Sequence, residues 1–429
     1  MKKEDILNNI NFREFKRRSY DLSRMLKLLE ELGNPQYGMK VVHVAGTNGK
    51  GSTSKLVYNM LRQTNLNVGL TISPHILEIN ERIVVNDSEI NDQDFVTLSE
   101  KVLKAENIIE AEYEKLTYFE FITAVAFLYF KEKKCDICVL EVGMGGLSDS
   151  TNVIRDIDKV LCLITPISFD HMAFLGNTIG EIASQKAGII TKNTSVITYN
   201  EDDKVLKIIE DEARKKESKF YSYKEIKVDN LKIDEFSSSF DLSFKNHKIE
   251  DIELNLLGYY QVHNAMLAIA GILELTDKNI INISYDEIKK AVAKTRWQGR
   301  MELINKNPRI VLDGAHNSDG IDNLVRNFSL FKYNKLYIIS SILSDKDHKK
   351  MLESLSKYSK DLFLLDLDNI RKTEIDILKR EAEEYFENVE ITRDIKSAIE
   401  DVKKLATNDD LIVITGSLYL VSEIKKLFA

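Results

Sequence analysis

The segment with the clearest chemical meaning is a glycine-rich turn that carries a lysine and hydroxyl groups. Residues 41–53 read VVHVAGTNGKGST, an apolar run followed by glycines, Lys50 and the hydroxyls of Ser52 and Thr53. Glycines let backbone N–H groups converge on phosphate oxygens, and the amino end of a helix favours negative charge. The lysine adds a positive charge, and a hydroxyl can contact magnesium. We therefore predict a strand, a triphosphate-binding turn and a helix, in that order.

The spacing of this turn departs from the common phosphate-binding loop. In the pattern Gly-x-x-x-x-Gly-Lys-[Ser/Thr], the first glycine would fall at Val44, and a hydroxyl would follow Lys50 directly, where this chain has Gly51. A structural glycine turn without a ligand is the alternative. We favour the phosphate site because the strand, turn and helix follow one another as the motif requires.

Two further strand ends carry groups able to bind a cation. Glu141 ends an apolar run and precedes a glycine turn, and His171 follows the run at 159–165. In a parallel sheet the carboxyl ends of the strands face one crevice. We therefore predict that Glu141 holds magnesium through a hard oxygen, with capping of the next turn as the alternative. An isolated histidine is more often structural, but this position favours His171 as a ligand of a second cation.

Other polar segments have roles that the residues alone leave open. Lys186 falls in the last turn of a predicted helix, where a lysine is normally a C-cap charge. Residues 258–265 (GYYQVHNA) open a helix with groups able to cap it or to contact a base. Residues 310–317 (IVLDGAHN) repeat the order of strand, acid and glycine, so that Asp313 and His316 lie either at a strand-end crevice or in a simple turn.

The elements that would position these groups alternate along the chain. The first part predicts strands at 41–45, 67–72, 136–142, 159–165 and 194–199 and helices at 51–63, 92–106, 117–133, 178–187 and 203–216. That alternation is typical of an α/β fold with a parallel sheet and helices on its faces. From about 225 to 256 short alternating runs predict an antiparallel insertion or edge.

Two helices are predicted at 261–276 and 285–294, before residues 296–300 (RWQGR), after which the alternation of strands and helices restarts. The strands predicted there are 309–312, 335–341, 361–365, 388–391 and 410–414. A chain of 429 residues exceeds the size at which one hydrophobic core stops growing, so two domains are expected. We place their boundary near 297–302, which gives domains at 1–298 and 299–429.

Composition excludes some classes of partner and suggests a location. The net charge is -8 with 30% charged residues, and no basic stripe offers a surface for nucleic acid. No apolar run approaches the roughly 20 residues that span a bilayer, so no membrane segment is expected. Cys135, Cys138 and Cys162 lie in strand-like runs, and the charged start lacks a signal-peptide core, which favours a reducing cytoplasm.

Taken together, the motifs resemble the folylpolyglutamate synthase/dihydrofolate synthase family of the Mur ligase superfamily. The resemblance runs through nearly the whole chain, in the order 45–52 (AGTNGKGS), 71–75 (TISPH), 118–120 (YFE), 140–146 (LEVGMGG), 149–152 (DSTN), 170–171 (DH), 186–189 (KAGI) and 313–317 (DGAHN). The Ser-Pro-His and Asp-Ser-Thr-Asn motifs point to the folate branch. The implied fold is a P-loop ATPase domain with a parallel sheet and a small antiparallel part, followed by a Rossmann-like C-terminal domain.

The resemblance implies an ATP-dependent amide ligase. ATP would phosphorylate the carboxylate of a folate, or that of dihydropteroate, to an acyl phosphate. The amine of L-glutamate would then attack this acyl phosphate. A ligase that adds an amino acid to a cell-wall nucleotide precursor is the near alternative. A kinase or other P-loop NTPase that forms no amide is the more distant one. A monomer is expected.

The resemblance also implies roles for individual residues. Contacts to ATP would come from Thr47, Asn48, Gly49, Lys50, Gly51, Ser52, Asn264, Arg300, Asp313 and His316. The pterin substrate would lie against Tyr20, Asp21, Leu22, Phe119, Ser148, Asp149 and Ser150. Two magnesium sites would draw on Ser52, Ser73, Glu141, His171 and Lys186. Lys186 would be carbamylated and so present anionic oxygen to a hard cation, and Lys50, Lys186 and His171 would be the catalytic residues.

Overall fold

A computed structural model describes residues 1–11, 13, 21–367, 371–392 and 394–428. The strands among them are β1 (Lys40–Ala45), β2 (Val68–Thr71), β3 (Ile83–Val85), β4 (Ser88–Glu89), β5 (Ile137–Glu141), β6 (Lys159–Ile164), β7 (Ser195–Thr198), β8 (Lys219–Ser222), β9 (Ile226–Ile233), β10 (Ser238–Phe244), β11 (His247–Leu254), β12 (Glu302–Lys306), β13 (Arg309–Leu312), β14 (Leu336–Ser340), β15 (Asp361–Leu365), β16 (Asn388–Thr392) and β17 (Leu411–Thr415).

The α-helices follow the expected alternation with these strands. They are α1 (Lys3–Asn11), α2 (Ser23–Glu31), α3 (Lys50–Leu61), α4 (Asp92–Ile109), α5 (Tyr118–Glu132), α6 (Met172–Leu175), α7 (Ile179–Ala187), α8 (Asp203–Lys215), α9 (Tyr259–Asp277), α10 (Tyr285–Lys294), α11 (Ser318–Arg326), α12 (His348–Ser356), α13 (Ile375–Ala382), α14 (Ile395–Leu405) and α15 (Leu418–Phe428). The predicted elements agree with these bounds to within a few residues. No bounds were predicted for α1, α2, the short α6, α11 to α15, β3, β4, β8 and β12. No described helix is both long and apolar enough to cross a bilayer.

The largest sheet places the glycine-rich turn at its centre. Its eight strands run in the order β4-β3-β2-β5-β1-β6-β7-β8, and β2, β5, β1, β6, β7 and β8 are parallel. The register sets Val44 beside Glu141 and Ala45 beside Ile164. The carboxyl ends of β1, β5 and β6 therefore lie side by side at one edge of the sheet.

The central strands are apolar along their length because helices cover both faces of the sheet. All five residues of β5 are buried, and so are five of the six in β1. One core cluster packs Phe121, Phe127 and Phe130 of α5 on the sheet, and another packs side chains of α7 and α8. Strands covered on both faces should read as continuous apolar runs, and the predicted parallel sheet is confirmed.

Two smaller sheets complete the chain. The segment predicted as an antiparallel insertion forms a three-stranded sheet in the order β11-β10-β9. The other sheet has the order β12-β13-β17-β14-β15-β16, in which β12 is antiparallel to β13 and the other neighbours are parallel. The mixed α/β class with a second C-terminal sheet is therefore confirmed.

The chain divides into two compact units. The first comprises residues 1–229, 241–252 and 263–293, and the second comprises 230–240, 253–262 and 294–429. The second unit has its own core, in which Leu324, Ile338 and Val413 are buried.

Candidate active site

The glycine turn (residues 46–49) lies between β1 and α3, as the sequence predicts. Gly46 has a φ of 144° and Gly49 a φ of 88°, and Gly49 directly precedes α3. Both angles lie in the region that strains an L side chain. A Cβ at Gly49 would also collide with the Asn264 amide, and a Cβ at Gly46 would collide with the Thr165 hydroxyl. The turn therefore requires glycine at both positions, and it leads into the amino end of a helix.

Two lysine ammonium groups converge on one carbonyl of the glycine turn. Lys50 Nζ donates to Gly46 O at 3.3 Å and to Thr47 O at 2.9 Å, and Lys186 Nζ donates to Gly46 O at 2.6 Å. Lys186 lies in the last turn of α7, as predicted. Its ammonium nevertheless binds a carbonyl 140 residues away, so the C-cap role suggested by its position does not describe its contact.

The electrostatic environment of Lys186 is unusual for a lysine. Its side chain is buried, and this burial together with the neighbouring Lys50 ammonium lowers the pKa of Lys186 to about 7. The carboxylates of Asp170 and Asp149 partly oppose that shift. Since desolvation disfavours the charged form, a large fraction of Lys186 is a neutral amine at neutral pH.

The glycine turn is fastened to the loop that follows β6. Thr47 N–H donates to Pro166 O at 2.9 Å, and the Thr47 hydroxyl donates to Ser168 O at 3.1 Å and accepts from Ser168 N–H at 3.0 Å. The Thr165 hydroxyl donates to Ala45 O at 3.2 Å. These bonds hold together the loops at the carboxyl ends of β1 and β6.

Glu141 and Ser73 lie together at the ends of β5 and β2. Glu141 is 2% exposed, and its Oε2 accepts a hydrogen bond from Ser73 N–H at 2.9 Å. Ser52, the other predicted hydroxyl ligand, is buried in the first turn of α3. The structure thus brings Glu141 and Ser73 into contact, although 68 residues separate them in sequence.

The loop after β2 is ordered by its own side chains. The Glu81 carboxylate accepts hydrogen bonds from the backbone N–H groups of residues 76–78. Arg82 Nε donates to His75 Nδ1 at 2.7 Å, and its guanidinium lies over the Tyr118 ring. Burial and the Arg82 charge lower the pKa of His75 to about 3, so its imidazole is neutral. The Ser-Pro-His motif is therefore held in a fixed loop.

His171 follows β6 at the same edge of the sheet. It precedes the short helix α6 with a φ of 50°, and its side chain is 39% exposed. His171 Nε2 lies 3.8 Å from Asp170 Oδ2, and His171 N–H donates to Asp170 Oδ1 at 2.9 Å. His171 therefore follows β6, as predicted, and both its backbone N–H and its ring lie near the Asp170 carboxylate.

The Asp149 loop (residues 143–152) follows Glu141 and folds on its own carboxylate. Asp149 Oδ2 accepts from Met144 N–H at 2.9 Å, and Asp149 Oδ1 accepts from Thr151 N–H at 3.0 Å. Ser150 Oγ lies 3.0 Å from Thr123 Oγ1 on α5. A Cβ at Gly143 would lie 2.5 Å from the tip of the Phe119 ring, which places Phe119 against the start of the loop. Ser148 is partly buried in the same loop.

The remaining residues predicted to contact the pterin lie near the start of the chain. Tyr20 lies outside the described residues. Asp21 Oδ1 accepts from Ser23 N–H at 2.8 Å at the start of α2, and Leu22 is partly buried against the main core cluster. Asp21 therefore has a local role at the helix start.

In the second unit Asp313 is the centre of a compact hydrogen-bonded turn. Its Oδ2 accepts from Met301 N–H at 2.8 Å and from the Tyr260 hydroxyl at 3.3 Å, and its Oδ1 accepts from Ala315 N–H at 2.8 Å. Burial raises the pKa of Asp313, while the Arg300 charge and these donors lower it. Asp313 therefore lies after a strand, as predicted, and it also forms the simple turn that was the alternative.

Arg300 and His316 lie against the same turn of the second unit. A Cβ at Gly314 would lie 2.6 Å from Arg300 Nη1, and His316 Nδ1 donates to Gly314 O at 2.8 Å. The three predicted ATP contacts of this unit, Arg300, Asp313 and His316, thus form one cluster.

The donor set for a metal is mixed. Among the described residues no group of three or more His, Cys, Asp or Glu side chains is arranged to hold an ion. The residues predicted for magnesium supply one buried carboxylate, hydroxyls and an imidazole instead. Magnesium keeps several waters and is commonly bound by one or two carboxylates plus substrate phosphates, so this set fits that ion.

Sequence reasoning missed three residues that contribute to this part of the sheet. Thr165 and Ser168 anchor the glycine turn, but hydroxyl residues in a loop give no distinctive signal. His43 lies fully buried in β1, and its Nε2 is 2.8 Å from Thr151 Oγ1. A single histidine inside an apolar strand was the signal available for that contact.

Two family models match the chain in sequence. The model of the Mur ligase middle domain matches residues 44–272. The model described as Mur ligase, glutamate ligase domain, matches residues 299–418. The glycine turn and the Asp149 loop lie in the first match, and the Asp313 cluster lies in the second.

Relatives match nearly the whole chain. The dihydrofolate synthase/folylpolyglutamate synthase of Bacillus subtilis is 35% identical over 410 residues, covering 94% of this chain and 94% of that protein. The structure of Mycobacterium tuberculosis folylpolyglutamate synthase complexed with ADP has a TM-score of 0.93 at 28% identity, covering 100% of this chain and 98% of the other. The structure of an FPGS-AMPPCP-folate complex has a TM-score of 0.88 at 31% identity, with 100% of each chain covered. The chain therefore belongs to the folylpolyglutamate synthase/dihydrofolate synthase family of Mur ligases.

Proposed function

We propose that this chain is an ATP-dependent ligase that joins L-glutamate to the carboxylate of a folate. The observation that carries the proposal is the position of Lys50 Nζ against Gly46 O and Thr47 O at the head of α3, because a cation and the backbone N–H groups of a helix start suit a polyphosphate. The family supports the choice of reaction. Its relatives bear the names of dihydrofolate and folylpolyglutamate synthases, and one of the similar structures is an FPGS-AMPPCP-folate complex.

The reaction requires activation of a carboxylate. An oxygen of the folate carboxylate attacks the terminal phosphorus of ATP, and ADP leaves. The amine of L-glutamate then attacks the acyl carbon and loses a proton, and the tetrahedral intermediate expels phosphate to leave the amide. A carboxylate alone would have to expel oxide, whereas an acyl phosphate expels a stable anion.

The residues of the chain would bind and neutralise the nucleotide. Lys50 lies at the turn where its ammonium can move from the Gly46 and Thr47 carbonyls to phosphate oxygens. The proposed ATP contacts in the first unit are Thr47, Asn48, Gly49, Lys50, Gly51, Ser52 and Asn264. In the second unit Arg300 would contact phosphate and Asp313 the ribose, with His316 beside them.

Magnesium is the metal that the donors at the sheet edge fit. Ser52, Ser73 and Glu141 would hold a first ion, and Glu141 with His171 a second. When bound, magnesium neutralises charge on the transferring phosphoryl group. Glu141 is already oriented by the Ser73 N–H, so its carboxylate needs little rearrangement to serve as a ligand.

Lys186 is the residue we propose to be carbamylated. Its pKa of about 7 leaves a neutral amine, which attacks carbon dioxide to form a carbamate with loss of a proton. The product has anionic oxygens in place of a cation and can sit beside a hard metal ion. This reversal of charge also removes the repulsion between Lys186 and Lys50.

Chemical rescue tests the carbamate. Lys186→Ala should lose most activity and regain part of it when short carboxylates such as acetate are added, and wild-type activity should rise with bicarbonate. A nucleotide-bound crystal should have branched density at the Lys186 amine. An unmodified ammonium in that crystal, with no rescue by carboxylates, would show the carbamate proposal to be wrong.

The pterin would lie along the Asp149 loop. Ser148, Asp149 and Ser150 would contact it, with Phe119, Asp21 and Leu22 nearby, and Tyr20 is proposed from the sequence alone. The domain boundary at 298/299, the monomeric state and the cytoplasmic location remain predictions from the sequence.

An assay of ADP release tests the function as a whole. Purified protein is supplied with ATP, magnesium and L-glutamate, and with dihydropteroate or a monoglutamyl folate in parallel. We expect ADP release to require one of the two pterins together with glutamate. Release that depends on a cell-wall nucleotide precursor would favour the near alternative, and release without any amine acceptor would favour a kinase or NTPase. Activity with both pterins would assign both synthase reactions to this chain.

A further inference from the structure

Three polar side chains form a hydrogen-bonded series in the buried part of the first unit. His43 Nε2 lies 2.8 Å from Thr151 Oγ1, and Thr151 Oγ1 donates to Asp149 Oδ1 at 2.6 Å. His43 and Thr151 are 0% exposed, and Asp149 is 5% exposed. These three side chains therefore join the central strand β1 to the carboxylate of the Asp149 loop along a buried path, on which Asp149 keeps a small exposed fraction.

The hydroxyl of Thr151 fixes the tautomer of His43. A threonine hydroxyl has one hydrogen, and this hydrogen is donated to the Asp149 carboxylate. His43 must therefore donate from Nε2, which leaves Nδ1 without a proton. Nδ1 is buried and has no hydrogen-bond partner among the described residues. Burial, and the charge of Lys159, also lower the pKa of His43, so the imidazole stays neutral.

A histidine at this position destabilises the fold relative to an apolar residue. Its neighbours along β1 are Val41, Val42, Val44 and Ala45, and all are buried. An apolar residue in its place would leave no orphaned nitrogen in the core, and an unpaired buried polar atom is destabilising. The backbone N–H groups of Met144 and Thr151 would still hold the Asp149 carboxylate without it. A role other than stability is therefore the better explanation of the imidazole.

We infer that His43 and Thr151 are positioning residues that fix the orientation of the Asp149 carboxylate toward the pterin. The inference rests on the proposed function, which assigns Asp149 to the pterin. A pterin carries N–H donors on its pyrimidine edge, and a carboxylate accepts a pair of them only when its plane is fixed. Donation from the Thr151 hydroxyl to Oδ1, directed by His43, adds to the two backbone N–H bonds and fixes that plane. Neither residue contacts the substrate.

The test compares variants that delete a donor with variants that keep it. His43→Leu and Thr151→Val remove the donors, whereas His43→Gln and Thr151→Ser keep one. Thr194→Val is the matched control, because the Thr194 hydroxyl is buried and donates to Lys159 O at the opposite ends of the strands. For each variant kcat, the KM for the pterin and the KM for ATP are measured, together with the midpoint of thermal unfolding.

The expected result is a selective change in one constant. Each deletion should raise the KM for the pterin about tenfold, which corresponds to about 1.4 kcal/mol, and change the KM for ATP less than about twofold. His43→Gln and Thr151→Ser should recover most of the loss, and Thr194→Val should alter only the unfolding midpoint. The double variant should have the same KM for the pterin as Thr151→Val alone, because that single change already breaks the hydrogen-bonded series from His43 to Asp149.

Several outcomes would overturn the inference. Equal rises in both KM values, lower stability with unchanged KM values, or additive effects in the double variant would each make His43 a purely structural residue. Nitrogen NMR of the imidazole in the wild type gives an answer even where a variant fails to fold. It should report Nε2 protonated and Nδ1 bare from about pH 6 to pH 9, and a protonated Nδ1 would contradict the chain of donors. Absence of pterin-dependent ADP release by the wild type would instead refute the proposed function.

Discussion

Two strand ends in this chain share the order of apolar run, acid and glycine turn, but their acids bind different kinds of partner. Glu141, at the end of β5, accepts from the backbone of Ser73, which follows another strand of the sheet. Asp313, after β13, accepts from Met301 and Ala315, which belong to its own turn and to the strand connection beside it. The first acid joins separate loops at one edge of the sheet, and the second is held by two backbone N–H groups and the Tyr260 hydroxyl within its own cluster. The same sequence pattern therefore places one acid between separate loops and the other in a turn that it supports in addition to its proposed contact to ribose.

The largest effect is expected at Glu141. Glu141→Gln keeps the shape and the bond to Ser73 but removes the charge, so kcat should fall by about 10³-fold or more with little change in the unfolding midpoint. Steady-state ADP release and calorimetry measure the two quantities. A fall of less than about tenfold would mean that the reaction does not need the charge of this acid, and the contrast between the two strand ends would fail.

Asp313→Asn should show the opposite balance between rate and stability. The amide nitrogen would face a backbone N–H of Met301 or Ala315, so that one buried donor loses its acceptor, and unfolding should become easier by about 2–3 kcal/mol. Denaturant unfolding measures this change. A variant with native stability and a loss of kcat as large as that of Glu141→Gln would place both acids in the same class.

A pH titration tests the charge state of Lys186, which lies at the same edge of the large sheet as Glu141. The pKa of Lys186 is lowered to about 7 in the folded chain, from 10.5 for an exposed lysine, so the unfolded chain binds more protons between these values. Stability should therefore rise by about 1 kcal/mol per pH unit above pH 7 in carbon dioxide-free buffer, and the penalty is fully present below about pH 7. Lys186→Met should flatten this slope in urea unfolding curves. An unchanged slope would assign it to another group.

The smallest effect is expected at Tyr260. Its hydroxyl reaches Asp313 at 3.3 Å, longer than either backbone bond to that carboxylate. Tyr260→Phe should therefore lower the stability by only about 0.5–1 kcal/mol and leave the cluster intact. A loss as large as that of Asp313→Asn would show that the tyrosine, rather than the turn, holds the acid in place.

Much of the fold could be predicted from the sequence because its signals are local. Apolar runs such as that of β5 and the glycines before α3 report backbone geometry within a few residues of themselves. The contacts of the site depend on register instead. Lys186 reaches Gly46 across 140 residues, and its position alone suggests only the end of a helix. His43 gave only the signal of one polar residue in an apolar strand, which reveals neither the face on which the residue lies nor its partner.

The close approach of Gly46 to Thr165 restricts how this chain can change over evolutionary time. Any side chain at position 46 would overlap the hydroxyl at 165, and a residue small enough to make room there would abandon the bond that ties β6 to Ala45. Neither single replacement is therefore an acceptable intermediate. A paired change would not help, because a Cβ at position 46 would also lie 2.9 Å from Thr165 O, so descendants of this sequence should retain Gly46 long after the surface around it has diverged.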